Sequence, residues 1–292
     1  MKLLSISNDK KIFDRESAVA QRQIEYAKKY EEVHILLRAH KQEKTLAPNL
    51  WVYGSYWRYG LARFLVEKRN ITHVTCQDPF ENGLIGTLIK RRHLVHLEFQ
   101  LHTDFDAQSS WRKYLAKYNF TYADHVRVVS ERVKNQIKKY VPEEKIEVRP
   151  IFVDTEKIKN APITVDLHKK YPQYKKIALM VSRIEKEKQI DMAIRAFAQL
   201  PEYALVIVGE GSLKEKLQNM STPNVYFEGW HDPATYYKTA DVFLNTSAFE
   251  GYGMTLVEAK SVGLRVLSTD VGVAKEIGAE IINSTEDIIK KL

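Results

Sequence analysis

Short apolar runs rich in Val, Ile and Leu alternate with amphipathic stretches along the whole of this chain. A strand followed by a helix-length segment cannot close as a hairpin, so the next strand is laid parallel and the helix covers a sheet face. In the first half the strand-forming runs are Lys2–Ser7, Glu32–Arg38, Leu50–Tyr53, Ile71–Gln77, Leu94–His102, Val126–Ser130 and Ile146–Ile151. Helical stretches fall near 16–29, 56–69, 80–90, 109–119 and 131–140. The rhythm then restarts, with strands expected at Lys176–Ser182, Ala204–Val208, Val225–Glu228, Val242–Asn245 and Arg265–Ser268. Helices are expected near 188–199, 212–219, 233–239, 255–262 and 273–278, with Ser212 and Asp232-Pro233 as start signals. Pro150, Pro162 and Pro172, together with a lapse in periodicity, put the break between Pro150 and Pro172. The expected architecture is α/β, two doubly wound domains over 1–150 and 151–292. Ligands of such sheets bind at the carboxyl ends of the strands, which points to an interdomain cleft.

Composition narrows the classes. The 292 residues accommodate two domains at roughly 100–200 residues each. Hydrophobic residues at 44% and charged residues at 28% exclude disordered, collagen-like and coiled-coil chains. The longest apolar runs, Ile177–Val181 and Ala204–Val208, fall far short of the ~20 residues that cross a bilayer. The first residues hold no stretch apolar enough for a signal peptide. The lone Cys76 forms no internal disulfide and no cysteine-based zinc site, so the expected location is cytoplasmic. The net charge of +8 is uneven: residues 1–150 carry +9 and residues 151–292 carry −1. An anionic partner would therefore meet the first half, whether nucleic acid, membrane surface or acidic substrate.

Four constellations in the second half carry chemistry. Ser182-Arg183-Ile184-Glu185-Lys186-Glu187-Lys188 follows a strand, and a guanidinium and an ammonium on one strand-to-helix loop suit a diphosphate. Gly209-Glu210-Gly211 follows the next strand; alone, the paired glycines read as a tight turn. The third runs from Asn245 through Phe249-Glu250-Gly251-Tyr252-Gly253 into Met254-Thr255-Leu256-Val257-Glu258-Ala259. Gly251 and Gly253 leave amides free at a helix start, an anion site. Glu250 and Glu258, one on each side, are placed to accept hydrogen bonds from sugar hydroxyls. The fourth, Thr269-Asp270-Val271-Gly272, is an ordinary strand-to-helix turn on its own.

In order, Ser-Arg-x4-Lys, Val-Gly-x-Gly, Phe227–Trp230, Ala240–Leu244, Glu-Gly-x-Gly-x4-Glu-Ala and Ser-Thr-Asp-Val-Gly resemble glycosyltransferase family 4 (group 1), the retaining nucleotide-sugar enzymes of GT-B fold. The resemblance covers about residues 176–277. It implies a donor domain at 151–292 and an acceptor domain at 1–150. It implies that Arg183 and Lys188 hold the donor diphosphate, Glu258 the ribose and Glu250 the donor sugar. Backbone contacts would come from Gly251, Tyr252, Gly253, Met254 and Thr255, with Gly209 and Gly211 also in the donor site. Leu101-His102-Thr103-Asp104-Phe105 looks like the family's histidine loop, which makes His102 the catalytic candidate of the first domain. Pro150–Asp154 resembles the interdomain linker.

The implied reaction moves a hexosyl group from a UDP- or GDP-sugar to an acceptor hydroxyl with retention, needing no metal and no cofactor. The family's usual glycine-rich first loop is replaced by Ser7–Ala20, which contains no glycine, and Arg15 or Ser17 is the candidate substitute. Two alternatives stay open. One is a sugar-nucleotide binder without catalysis. The other is a basic nucleic-acid-binding protein, which has no recognisable module here and leaves Glu250 and Glu258 unexplained. The basic half also interleaves aromatics with cations around Trp51–Phe64 and Trp111–Tyr118. Trp57, Leu61, Phe64 and Leu65 fall on one helical face, as do Trp111, Tyr114, Leu115 and Tyr118. Such a face either packs on the sheet or meets an anionic membrane carrying a lipid or lipid-linked saccharide acceptor, with the protein peripheral on its inner surface.

Overall fold

The computed structural model describes residues 1–292. They divide into two compact units, Met1–Arg149 and Pro150–Leu292. No helix is long and apolar enough to cross a membrane.

In the first unit the strands are β1 (Lys2–Ser7), β2 (Glu32–Leu37), β3 (Gln42–Ala47), β4 (Leu50–Gly54), β5 (His73–Cys76), β6 (His96–Leu101), β7 (His125–Val128) and β8 (Ile146–Val148). They form one sheet in the order β3-β4-β2-β1-β5-β6-β7-β8, parallel except where β3 pairs antiparallel with β4. Helices α1 (Ala18–Ala27), α2 (Arg58–Arg69), α3 (Glu81–Lys90), α4 (Ser110–Phe120) and α5 (Glu131–Ile137) connect them. α1 covers one side, where Ala20 and Ala27 pack with Leu3, Val33, Ile35 and Leu50. α3 lies on the opposite side; a side chain at Gly86 would meet Cys76, Leu97 and Phe99. Because side chains alternate along a strand, Thr75, Glu98 and Gln100 emerge on the other face.

The second unit begins with two short helices, α6 (Thr155–Asn160) and α7 (Leu167–Lys170), capped by the Asp154 and Asp166 carboxylates. Its sheet contains β9 (Lys176–Val181), β10 (Tyr203–Val208), β11 (Val225–Gly229), β12 (Val242–Asn245), β13 (Arg265–Ser268) and β14 (Glu280–Ile281). The order is β11-β10-β9-β12-β13-β14, parallel throughout. The intervening helices are α8 (Ile190–Phe197), α9 (Lys214–Asn219), α10 (Ala234–Thr239), α11 (Met254–Ser261) and α12 (Thr285–Lys291). One apolar layer joins α8 and α12 to the sheet through Ile194, Phe197 and Ile288, and a second joins α10 and α11 through Tyr237, Leu256 and Ala259. The β9 and β10 runs are apolar at nearly every position because both of their faces are covered.

Three expectations change. The segment at 273–278 makes turns, not a helix: Gly272 and Gly278 both sit at positive φ, and the Val273 amide donates to the Tyr252 carbonyl at 2.9 Å. Ser17 is not free to replace a glycine loop, because its hydroxyl caps α1 by accepting from the Ala20 amide at 3.1 Å. The aromatic face of α2 is split: Leu65 is buried, whereas Trp57 and Phe64 are 76% and 57% exposed.

Candidate active site

Strand order locates the site. From β9 the chain steps outward to β10 and β11, then returns to the other flank of β9 as β12, so the direction of winding reverses between β9 and β12. A crevice opens at the carboxyl ends of strands flanking such a switch point. The two loops leaving there are Ser182–Gln189 and Thr246–Gly253, which carry Arg183, Lys188, Glu250, Gly251, Tyr252 and Gly253.

Main-chain bonds tie these loops together. The Ser182 amide donates to the Val208 carbonyl at 3.1 Å, and the Ile184 amide to Glu210 at 2.9 Å. Gly209 has φ +146° and its missing side chain would lie 1.9 Å from the Ser182 carbonyl oxygen; one at Gly211 would lie 2.3 Å from that of Ile184. Both glycines therefore act by letting two backbones touch, and they set the path of the Arg183 loop. On the other side the Ala248 amide donates to Glu187 O at 2.8 Å, and the Thr246 hydroxyl to Lys188 O at 2.7 Å. The Thr269 hydroxyl donates to Ser247 O at 2.6 Å. The fourth constellation thus braces the third.

On this frame Lys188 and Glu250 form an ion pair, Nζ to Oε1 at 2.5 Å, with side-chain exposures of only 12% and 20%. The Ser247 hydroxyl also lies 2.9 Å from that carboxylate oxygen. Arg183 is open to solvent and pairs with Glu187, four positions on in the same loop, at 2.9 Å. Gly253 turns the chain at φ +87° into α11 and supplies no side-chain cap. The first-turn amides of Met254 and Thr255 consequently lack an intrahelical acceptor, and they add the positive end of the helix to the two cations.

Glu258 lies one turn into α11 and has partners of its own. Its Oε2 accepts from the buried Tyr237 hydroxyl at 2.8 Å. Burial raises the Glu258 carboxyl above its usual range, the Tyr237 hydrogen bond opposes this, and Asp232 adds to it. Glu258 and Met254 line a cavity of about 290 Å³ with Phe152, Asp154, Asp232 and Pro233. Tyr237 carries no sequence signal; Ser247 stands in the third constellation, Asp232 at a helix start and Phe152 in the linker, but none of them with the role of orienting or adjoining a glutamate, which arises only on folding.

His102 belongs to the first unit, just past β6. Its Nε2 lies 3.1 Å from Gln100 Oε1. The Gln100 amide nitrogen donates to Thr75 Oγ1 at 2.8 Å and to Glu98 Oε1 at 3.0 Å, so its oxygen faces the imidazole and must accept. His102 therefore carries its proton on Nε2 and presents a bare Nδ1. Burial, and then the Arg127 charge, push its pKa below the ordinary histidine value. Burial works to raise Glu98, but hydrogen bonds from Thr75, Gln100 and His125 outweigh it and hold that carboxyl low and ionised. Arg15 lies in the Asn8–Ser17 loop after β1, with its carbonyl accepting from the Gln21 side chain at 2.8 Å.

Comparison with known proteins bears on the family and the fold. Residues 166–283 match the family model for glycosyl transferases group 1, and residues 23–157 match that for Glycosyltransferase Family 4. The alpha-monoglucosyldiacylglycerol synthase of Streptococcus pneumoniae is 27% identical over 243 residues, covering 73% of this chain and 55% of the synthase. The GtfA subunit of the UDP-N-acetylglucosamine–peptide N-acetylglucosaminyltransferase of Streptococcus agalactiae is 27% identical over 236 residues, 74% of this chain and 46% of the subunit. The chain spans about half the length of these curated relatives. The fold is similar to that of Anabaena HepE, solved with UDP and glucose, at a TM-score of 0.76 and 16% identity over 100% of this chain and 88% of that one. With two parallel doubly wound sheets and both family regions in sequence order, the chain belongs to the group 1, family 4 type of GT-B glycosyltransferases.

Proposed function

We propose that this protein transfers a hexosyl group from a nucleoside diphosphate sugar, UDP-linked in the first instance, to an acceptor hydroxyl with retention of configuration. The observation that carries the reading is the β9/β12 crevice, where Arg183, the Lys188–Glu250 pair and the bare amides heading α11 converge. Arg183 and Lys188, released in part from Glu187 and Glu250, join the helix start in binding a diphosphate, and they stabilise it further as it leaves with the glycosidic electrons. In this reading the charge is met by the chain's own groups and needs no metal. The leaving phosphate oxygen takes the acceptor proton as the new bond forms on the same face. Glu258 accepts from the ribose hydroxyls beside the 290 Å³ cavity. Glu250, already held by Lys188 and Ser247, accepts from the sugar. From the first unit, His102 would present Nδ1 to a sugar hydroxyl, its orientation fixed by Gln100.

UDP is the first choice because the GtfA relative is named for UDP-N-acetylglucosamine and the Anabaena structure holds UDP with glucose. For the acceptor we propose a lipid or lipid-linked saccharide at the cytoplasmic surface of a membrane. The relative named for a glucosyl-diacylglycerol lipid supports this, as do the exposed Trp57, Phe64, Trp111 and Tyr114 set among cations on α2 and α4. The test pairs a thermal-shift panel of UDP-, GDP- and ADP-sugars with a transfer assay on diacylglycerol in anionic vesicles. Stabilisation by UDP-sugars and a glycolipid product support the reading. No stabilisation by any nucleotide sugar overturns it, and donor binding with neither transfer nor donor hydrolysis leaves a sugar-nucleotide binder.

A further inference from the structure

No step of the proposed donor chemistry uses the β3 edge of the first sheet, yet a cavity of about 670 Å³ lies there. Topology explains it. α2 packs over β1 and β2, while β4 and the antiparallel β3 extend the sheet beyond the helix. The overhanging strand faces on the α2 side have no helix above them. Tyr53 and Gly54 of β4 contribute to the floor, and at Gly54 a side chain would strike the His40 carbonyl oxygen at 2.3 Å. Leu61, Phe64, Leu65 and Lys68 follow one another at helical spacing along the wall, an apolar stripe that ends in an ammonium.

Charge is distributed with the same asymmetry. Lys41 and Lys68 are exposed where they line the cavity, and neither pairs with a carboxylate. Arg69 stands 5.4 Å above the Trp51 ring and hydrogen-bonds the Tyr53 side chain, with no acid paired to it. These three cations outnumber Glu43, the one acid of the lining. Beside the entry to α2, Tyr56 and Trp57 are 61% and 76% exposed, and Phe64 projects from the wall itself. Aromatic side chains of this kind settle at the level of lipid headgroups. An apolar trough of small-molecule size with a cationic mouth suits a ligand with an acyl body and an anionic head.

We propose that this groove seats one anionic phospholipid, with an acyl chain along Leu61, Phe64 and Leu65 and its phosphate among Lys41, Lys68 and Arg69. The source of the lipid rests on the membrane-surface reading above, and the seat itself is separate from the nucleotide site of the second unit.

Monomeric dihexanoyl-phosphatidylglycerol, kept below its micelle concentration, is titrated into the full chain by calorimetry. Dihexanoyl-phosphatidylcholine and glycerol phosphate serve as comparisons. The expected result is saturable one-to-one binding of the glycerol lipid, at least tenfold weaker binding of the choline lipid, and none of glycerol phosphate. Each removed cation is expected to weaken binding about fivefold, the equivalent of ~1 kcal/mol. Lys41→Glu with Lys68→Glu therefore costs at least 25-fold, while the UDP-induced thermal shift is kept because both residues are exposed and far in sequence from the donor loops. Phe64→Ser should weaken the lipid without touching salt dependence. Equal affinity for the two lipids, glycerol phosphate binding as well as the lipid, or indifference to the double charge reversal each overturns the proposal. Flotation with phosphatidylglycerol vesicles separates the two readings: a protein that floats but does not bind the monomeric lipid keeps the membrane surface and loses the groove.

Discussion

Replacing Lys188 by alanine should do two separable things. The Lys188–Glu250 contact is 2.5 Å long and mostly buried. Removing one member of a fully buried pair costs about 3–5 kcal/mol, whereas an exposed pair is worth about 0–1. With 12% and 20% of the side chains exposed, this pair falls between, at about 2 kcal/mol. For a protein of this size that lowers Tm by about 4–8 °C. Loss of the charge-assisted contact to a diphosphate costs about 1.5–3 kcal/mol more, a rise in the Kd for UDP of roughly 10- to 150-fold. Calorimetry with UDP and differential scanning of the free protein measure each effect. The double variant Lys188→Ala/Glu250→Gln then discriminates, because it no longer leaves an orphaned carboxylate. It should recover most of the lost Tm and none of the lost UDP affinity. If Lys188→Ala binds UDP within threefold of the parent, the diphosphate role is refuted. If the double variant recovers affinity along with Tm, Lys188 serves the fold alone.

Arg183→Ala should weaken UDP binding to a similar degree yet lower Tm less than Lys188→Ala does, since an exposed pair contributes only about 0.2–1 kcal/mol; a fall in Tm as large as that of Lys188→Ala would contradict its open placement. Glu258→Ala should chiefly weaken nucleotide binding and Glu250→Ala chiefly lower kcat, and steady-state kinetics with the true acceptor would reverse both assignments if the pattern came out exchanged. His102 should titrate below the ordinary histidine value of about 6.5, because burial and the Arg127 charge both disfavour its protonated form. The unfolded chain then takes up its proton first as pH falls below that value, so His102 withdraws stability with acidification until its own folded pKa is passed. Gln100→Glu places a carboxylate against Nε2 and should raise the imidazole pKa and move the acid limb of kcat upward; an unmoved NMR titration would disprove the Gln100 contact.

Much of the second unit was legible because its signals are local. A strand covered on both faces must be apolar throughout, as Ile177–Val181 and Ala204–Val208 are, and loops leaving such strands collect the polar residues. What stayed hidden depends on distance. Nothing in the chain announces that Lys188 meets Glu250 across 62 positions, or that Tyr237 holds Glu258. β3 escaped notice because an exposed edge strand of sequence Gln-Glu-Lys-Thr-Leu-Ala has no buried face to impose alternation. β14, at two residues, is below the length at which a period can be seen. The apparent helix at 273–278 failed because Gly272, at positive φ, is drawn against the Tyr252 carbonyl, a contact that no local spacing announces. On α2, spacing grouped Phe64 with Leu65, and only the overhang of the sheet shows that the first faces out and the second in.

The stitching of the donor loops through peptide groups has a consequence for how such a protein can change. Ser182, Ile184, Glu187, Lys188, Ser247 and Tyr252 hold the crevice through their backbone amides and carbonyls, which every amino acid except proline supplies in full; only the donors to Lys188 and Ser247, the Thr246 and Thr269 hydroxyls, are side chains. The frame is therefore written largely into chain path and glycine placement, and a ligand-facing side chain that braces neither loop, such as the exposed Arg183, can be exchanged without unmaking it. Selectivity for a base or a sugar can drift by single substitutions while the loops keep their course. The glycines permit no such drift: at 209 or 211 the smallest side chain collides with a carbonyl on the neighbouring loop. Variation in this unit is thus channelled, free at the surface that touches substrate and closed at the small residues behind it.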